Sequence, residues 1–253
     1  MSSLVIALIV FGCTLGGLLF GIVLRRVLPE HHTKDDSKDV MKTAAGMMAT
    51  LVALIIGLLV SSAKSSFDTT NATFTQSGAK IITLDRILSR YGPETKGIRE
   101  HLKTSVSTGM KYIWPEESTG KADIAGAEVA TGMEDVFDMI RALAPQNDSQ
   151  SYLKAQALQL SGDLVQSRWM LVEQNQNSLP TVFLVVLVFW LAVLFACFGM
   201  LAPRNATAFS ALVVCAFSMA GAIYLITELN HPLDGNIKVS SAPLVKALAI
   251  IGK

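Results

Sequence analysis

The chain has 253 residues, 51% of them hydrophobic and only 16% charged, with a mean hydropathy of +0.46. Soluble domains carry about a quarter charged residues, so a water-soluble globule over the full length is excluded. A net charge of +1 provides no basic field for nucleic acid, and three cysteines, Cys13, Cys197 and Cys215, all within apolar runs, argue against a disulfide framework or a zinc site.

A helix spans the hydrocarbon core with roughly 20 mostly apolar residues. The first such run extends from about Leu4 to Val27 and is uncharged until Arg25 and Arg26. It is too long for a signal-peptide core, and its basic residues follow the apolar run instead of preceding it, so it reads as a retained anchor. The next segment holds His31 and His32 near Glu30, Asp35 and Asp36. A solvated loop explains this cluster better than a metal site, and neither metal nor cofactor is expected.

The second apolar run, about Ala44 to Val60, is flanked by Lys42 and Lys64, and its pattern continues past the membrane. Gly46, Ala53, Val60, Phe67, Phe74, Ile81 and Leu88 recur every seven residues, with no proline before Pro93. Such a repeat predicts one helix from about Thr43 to Tyr91, roughly 70 Å long, packed along a partner by this stripe. A second series, Thr43, Thr50, Gly57, Lys64 and Asn71, is small or polar, with Ser61 and Asp68 beside it. This stripe has two readings: a water-lined path, or close helix packing with hydroxyls bonded to their own backbone. Likewise Lys64 and Asp68 form either a surface ion pair or charged rings at a pore mouth.

Beyond Gly92-Pro93 three helices are legible. Ile98, Leu102, Val106, Met110 and Ile113 mark one, ended by Trp114-Pro115. Met133, Val136, Phe137, Ile140 and Leu143 mark the next, ended by Pro145. Asn147, Asp148 and Ser149 then supply an N-cap for a helix through Leu153, Ala157, Leu160, Leu164 and Leu171. With the extension of the second crossing these make a four-helix bundle. Two further apolar runs follow, about Thr181 to Leu201 and about Ala206 to Leu225, the latter ending near Glu228.

The expected fold is therefore all-α: four transmembrane helices with a helical bundle inserted between helices 2 and 3. Residues 1–62 hold the first two crossings, 63–179 the soluble bundle and 180–228 the last two crossings. Residues 229–253 form a C-terminal turn and an amphipathic helix, capped by Ser241 with Pro243 in its first turn. Its Leu244, Leu248 and Ile251 make an apolar stripe suited to the bundle or the membrane surface. Arg25, Arg26, Lys34, Lys38, Lys42 and Arg204 lie in the two short loops on one face, which the positive-inside rule assigns to the cytoplasm. Residues 63–179 would then face outward. No HExxH, nucleophile elbow or phosphate loop occurs, so no enzyme is expected.

Three stretches together resemble the bestrophin-like family of bacterial membrane proteins. They are Gly57-Leu-Leu-Val-Ser-Ser-Ala-Lys-Ser-Ser-Phe-Asp-Thr69, Leu84-Asp-Arg-Ile-Leu-Ser-Arg-Tyr-Gly-Pro93, and the tail from Glu228 to Leu244. The tail departs from the usual pattern at Asn230 and Leu233, where Asp and Phe are typical. The similarity to true bestrophins, pentameric anion channels lined by their second helix, is confined to the turn at Pro232. No acidic run follows that turn, so calcium gating is not implied. Bestrophins keep their soluble part in the cytosol, the opposite of the charge-based topology.

The resemblance implies a homo-oligomeric ion channel, pentameric and anion-conducting by family analogy, in the bacterial inner membrane among membrane lipids. Thr50, Gly57, Ser61, Lys64 and Asp68 are the expected pore-lining residues. Glu228, Asn230, Pro232, Asp234 and Gly235 are expected to shape the membrane exit, Glu228 alternatively being an interfacial carboxylate paired with a basic neighbour. The other functional class is a non-conducting membrane sensor or scaffold acting through its bundle.

Overall fold

Apolar segments that leave water must close their backbone hydrogen bonds internally, and this chain does so with helices. The computed structural model describes residues 2–27, 35–115, 127–176, 181–203 and 205–252, and no strand occurs among them. The helices are α1 (Ser3–Val27), α2 (Asp35–Tyr91), α3 (Lys96–Ile113), α4 (Ala127–Arg141), α5 (Asp148–Gln176), α6 (Thr181–Leu201), α7 (Ala206–Leu229) and α8 (Ala242–Ile250), with a 3-10 turn at Pro93–Thr95. Four of them, α1, α2, α6 and α7, are long and apolar enough to cross a membrane. The helix read from about Thr43 to Tyr91 is indeed unbroken and begins earlier, at Asp35. The chain divides into two compact units, Met1–Ser65 with Leu179–Asn230, and Ser66–Ser178 with His231–Lys253.

In the first unit α1 lies against α6 and α7. Lipid offers no hydrophobic drive for helices to associate, so close backbone approach through small residues has to supply the contact energy. Gly17 and Gly21, one turn apart on α1, rest on the backbone of Ala192 and Ala196 of α6, while Gly199 rests on Leu18. A Cβ at any of these three glycines would collide with main chain. Val10, Leu18, Val52, Leu187, Leu191, Phe195, Ala216 and Ile223 fill the core around this contact. The buried Thr14 and Thr227 hydroxyls donate to carbonyls of their own helices, Val10 at 3.0 Å and Ile223 at 2.9 Å, which removes the cost of a polar group in hydrocarbon. Gly17 and Gly21 were readable as a G-x-x-x-G pair in the sequence, a signal that the apolar-run reading passes over.

The second unit has a core of its own. Phe74, Ile81, Leu84 and Leu88 of α2 meet Ile98, Leu102 and Val106 of α3, Val136 and Ile140 of α4, and Ala157 and Leu164 of α5. Leu233, Val239, Leu244, Ala247 and Ile251 of the C-terminal segment belong to the same core, so α8 packs with these helices. Gly78 of α2 would bring a Cβ to 2.9 Å from the Pro243 carbonyl oxygen.

Buried polar contacts fix the corners. Asp85 is fully buried and accepts two hydrogen bonds from Arg99, at Nε 2.7 Å and Nη2 3.1 Å. These bonds hold the Arg99 guanidinium above its usual pKa, against the opposing effect of burial. The α2–α3 corner needs Gly92, whose φ of 145° disfavours any side chain. Thr95, also buried, donates to the Leu88 and Gly92 carbonyls across that corner. On the other side of α2, Lys80 bonds Asp163 of α5 at 3.0 Å. Asn147 caps α5 by accepting from the Gln150 amide at 2.8 Å, as the sequence predicts. At α8 the expected cap changes: Ser241 makes no capping bond, and Ser240 Oγ accepts from the Ala242 amide at 3.2 Å.

The seven-residue stripe of α2 requires a correction. Phe74, Ile81 and Leu88 are buried, but Val60 and Phe67 are half-buried, and Gly46 and Ala53 are exposed. A straight α-helix has 3.6 residues per turn, so a seven-residue series drifts by about 20° per repeat and about 120° between Gly46 and Leu88. The residues that stay buried throughout recur every eleven instead: Val52, Ala63, Phe74 and Asp85. That series drifts the other way and over fewer repeats, by about 60° in all.

Two outcomes follow from these contacts. Gly21→Leu is expected to cost about 3 kcal/mol through overpacking and to broaden the size-exclusion peak of the purified protein. Asp85→Ala, which leaves the Arg99 charge stranded, is expected to destabilise the chain by about 3–5 kcal/mol, read as a lowered thermal midpoint in detergent.

Candidate pore face and exit turn

The expected pore residues share one face of α2. At about 100° per residue, Thr50, Gly57, Ser61, Lys64 and Asp68 fall within an arc of roughly 60°. All five are exposed in the single chain. The buried Ala45, Val52 and Ala63 lie on the other side of the helix, about 200° from Thr50. The stripe is therefore the face that α2 turns away from its packed neighbours. No atom lies within 4 Å of the place a Cβ would occupy at Gly46 or Gly57.

The chemistry of this face is mixed. Thr50 donates its hydroxyl hydrogen to the Gly46 carbonyl at 3.0 Å, leaving the oxygen as an outward acceptor. Such back-bonding serves a helix facing water or facing another helix, so both readings of the stripe are compatible with this bond. Lys64 and Asp68 add one cation and one anion, four residues apart, where the apolar run ends. Beyond them the same arc carries the exposed Thr75, Ala79 and Arg86.

The exit-turn residues play different parts. Glu228 is buried in the last turn of α7. Asn230 terminates that helix, its amide donating to the Ile226 carbonyl at 3.1 Å. In the following segment Pro232 is buried and its carbonyl accepts from the Val239 amide at 2.9 Å, while the Gly235 amide donates to the His231 carbonyl at 3.1 Å. Asp234 is exposed. The Val239 carbonyl accepts from Trp114 Nε1 at 2.9 Å, and the Trp114 ring sits 4.9 Å from that of Phe74. Pro232 and Gly235 thus build a closed turn, and Trp114 fastens it to the end of α3. In the sequence alone, Trp114 marks only a helix end. Leu233, where the family pattern has Phe, is buried and fills its core position as a smaller hydrophobe.

Among the described residues no group of three or more His, Cys, Asp or Glu is placed to hold a metal. His31, His32, Lys34 and Arg204 lie outside the described residues. Asn205, part of an Asn-x-Thr triplet, serves as the N-cap of α7, accepting from the Ala208 amide at 3.2 Å.

Long apolar helices, small-residue packing and a helical second unit define a helical membrane protein. Residues 11–244 match the Bestrophin-like domain family, and the chain belongs to that family. Two solved structures of mutant forms of a bacterial Bestrophin homolog from Klebsiella pneumoniae share its fold, each with a TM-score of 0.66 at 13% sequence identity. The first alignment covers 95% of this chain and 98% of the homolog, the second 94% and 97%. Comparison with curated proteins finds no sequence match.

Trp114→Phe keeps the ring contact with Phe74 but deletes the bond to Val239. It is expected to cost about 1 kcal/mol and to make the C-terminal segment cleave faster under limited proteolysis.

Proposed function

We propose that copies of this chain assemble into a multi-pass ion channel of the bacterial inner membrane, with α2 lining the pore. In this reading each copy crosses the bilayer four times, and residues 63–179 form a soluble helical bundle inserted between the second and third crossings. The observation that carries it is the exposed arc of Thr50, Gly57, Ser61 and Lys64, turned away from the buried face of the same helix. A lysine on a membrane helix is costly toward lipid and is ordinarily directed to water or to other helices. Symmetry resolves this: several copies of α2 around a common axis turn the stripe into a lumen. Its glycines permit close approach of the helices, and family membership favours a ring of five.

Anion preference is assigned to Lys64. One lysine per copy produces a ring of positive charge at the end of the apolar segment, with an Asp68 ring one turn further on. Glu228 and the closed turn at Pro232 act as supports of this framework, outside the conduction path. The chain carries no chemistry in this reading and is not an enzyme.

The test begins with oligomeric state in detergent and proceeds to ion flux from reconstituted vesicles. The wild-type protein is expected to be an oligomer that passes small anions in preference to cations. Lys64→Glu should reverse or abolish that preference while the oligomer persists. A monomer that passes no ions would defeat the channel reading, and an oligomer with no flux would transfer the assignment to a non-conducting sensor or scaffold. Selectivity unmoved by Lys64→Glu would remove that residue from the path.

A further inference from the structure

The ends of α1 and α6 and the start of α7 enclose a concavity of about 350 Å³ within the first unit. Its lining divides by chemistry. Arg25 and Arg26 supply two permanent positive charges, and none of the described residues that line the space is acidic. Arg25 is half-buried and donates from Nη1 to the Ala202 carbonyl just past the end of α6, so its guanidinium is anchored at the pocket. Arg26 is exposed and able to reorient toward a ligand. Ile22, Phe209 and Leu212 supply an apolar wall.

The position of this pocket matters as much as its lining. It sits where three apolar helices begin or end, the depth at which hydrocarbon gives way to headgroups. A small soluble anion would use the arginines but leave the wall of Ile22, Phe209 and Leu212 without a partner. A zwitterionic lipid would bring its own cation against the arginine pair. An anionic phospholipid meets both requirements, with its phosphate between two guanidinium groups and an acyl chain along the wall. Planar guanidinium forks suit phosphate oxygens better than a point charge does. We propose that this pocket is a binding site for an anionic phospholipid. The site is independent of the α2 face and of the channel assignment.

Delipidated full-length protein in detergent would be mixed with phosphatidylglycerol, phosphatidylcholine or inorganic phosphate, and bound molecules counted by native mass spectrometry. Phosphatidylglycerol should be retained in preference to phosphatidylcholine, and millimolar inorganic phosphate should not displace it. Arg26→Gln should weaken phosphatidylglycerol retention about fivefold, the effect of one basic side chain near an anionic surface. Lys42→Gln, which removes an exposed cation from α2, is the control and should retain the lipid as wild type does. A second variant, Phe209→Ala, should weaken retention of long-chain phosphatidylglycerol more than that of a short-chain analogue. Equal retention of the two lipids, phosphate binding without lipid preference, or equal losses in Arg26→Gln and Lys42→Gln would each overturn the assignment.

Discussion

From Asp35 to Tyr91 the backbone of α2 closes its own hydrogen bonds through 57 residues without a proline or a break. In hydrocarbon this closure is obligatory, because no water is present to satisfy a stray amide. In the second unit the same helix is held by burial of one face, since helix propensity alone is weak. A single α-helix therefore serves two different cores. Val52 packs in the first and Phe74, Ile81 and Leu88 in the second. Whatever face remains after those burials is available for function, and on this helix it is the arc through Thr50, Gly57, Ser61 and Lys64.

The two units solve the packing problem by different physics. Where the solvent is lipid, large apolar side chains gain nothing by leaving it, and close backbone contact decides the arrangement. Gly17 and Gly21 on Ala192 and Ala196 are that contact. In the second unit Leu, Ile and Phe fill the core, and their burial is itself stabilising wherever the surroundings are aqueous. There a buried carboxylate, Asp85, is kept by the bidentate Arg99. A fully buried charge with one removable partner stabilises little in itself, but it fixes the register of α2 against α3 because its loss is so costly.

In the channel and lipid-site proposals, function is carried by surfaces that the fold leaves uncovered. The Pro232 turn belongs to the framework: it closes on itself through Val239 and is tied down by Trp114. The stripe on α2 and the arginine pair beside α6 are different in kind, since Thr50, Gly57, Ser61, Lys64 and Arg26 are exposed in the single chain, open to water, a second copy or a lipid headgroup. Gly199 illustrates how closely framework and surface lie together. It rests on Leu18 in the helix contact and also lines the arginine-bearing pocket.

Much of this architecture could be read from the amino-acid sequence by itself. Apolar run length marks the membrane helices, and prolines at 93, 115 and 145 with the cap at Asn147 mark the helix ends, because hydrogen-bond closure and capping are local. That Thr50, Gly57, Ser61, Lys64 and Asp68 share one face was legible for the same reason: residues three, four and seven apart stay within one arc of any helix. Which stripe of α2 is buried was not legible, since seven- and eleven-residue series both fit the pattern and only the neighbours decide between them. The partner of Asp85 lies fourteen residues on, beyond the Gly92 corner, and that of Trp114 lies 125 residues away. Pairings of that kind depend on where the chain returns in space. Only tertiary structure could supply them.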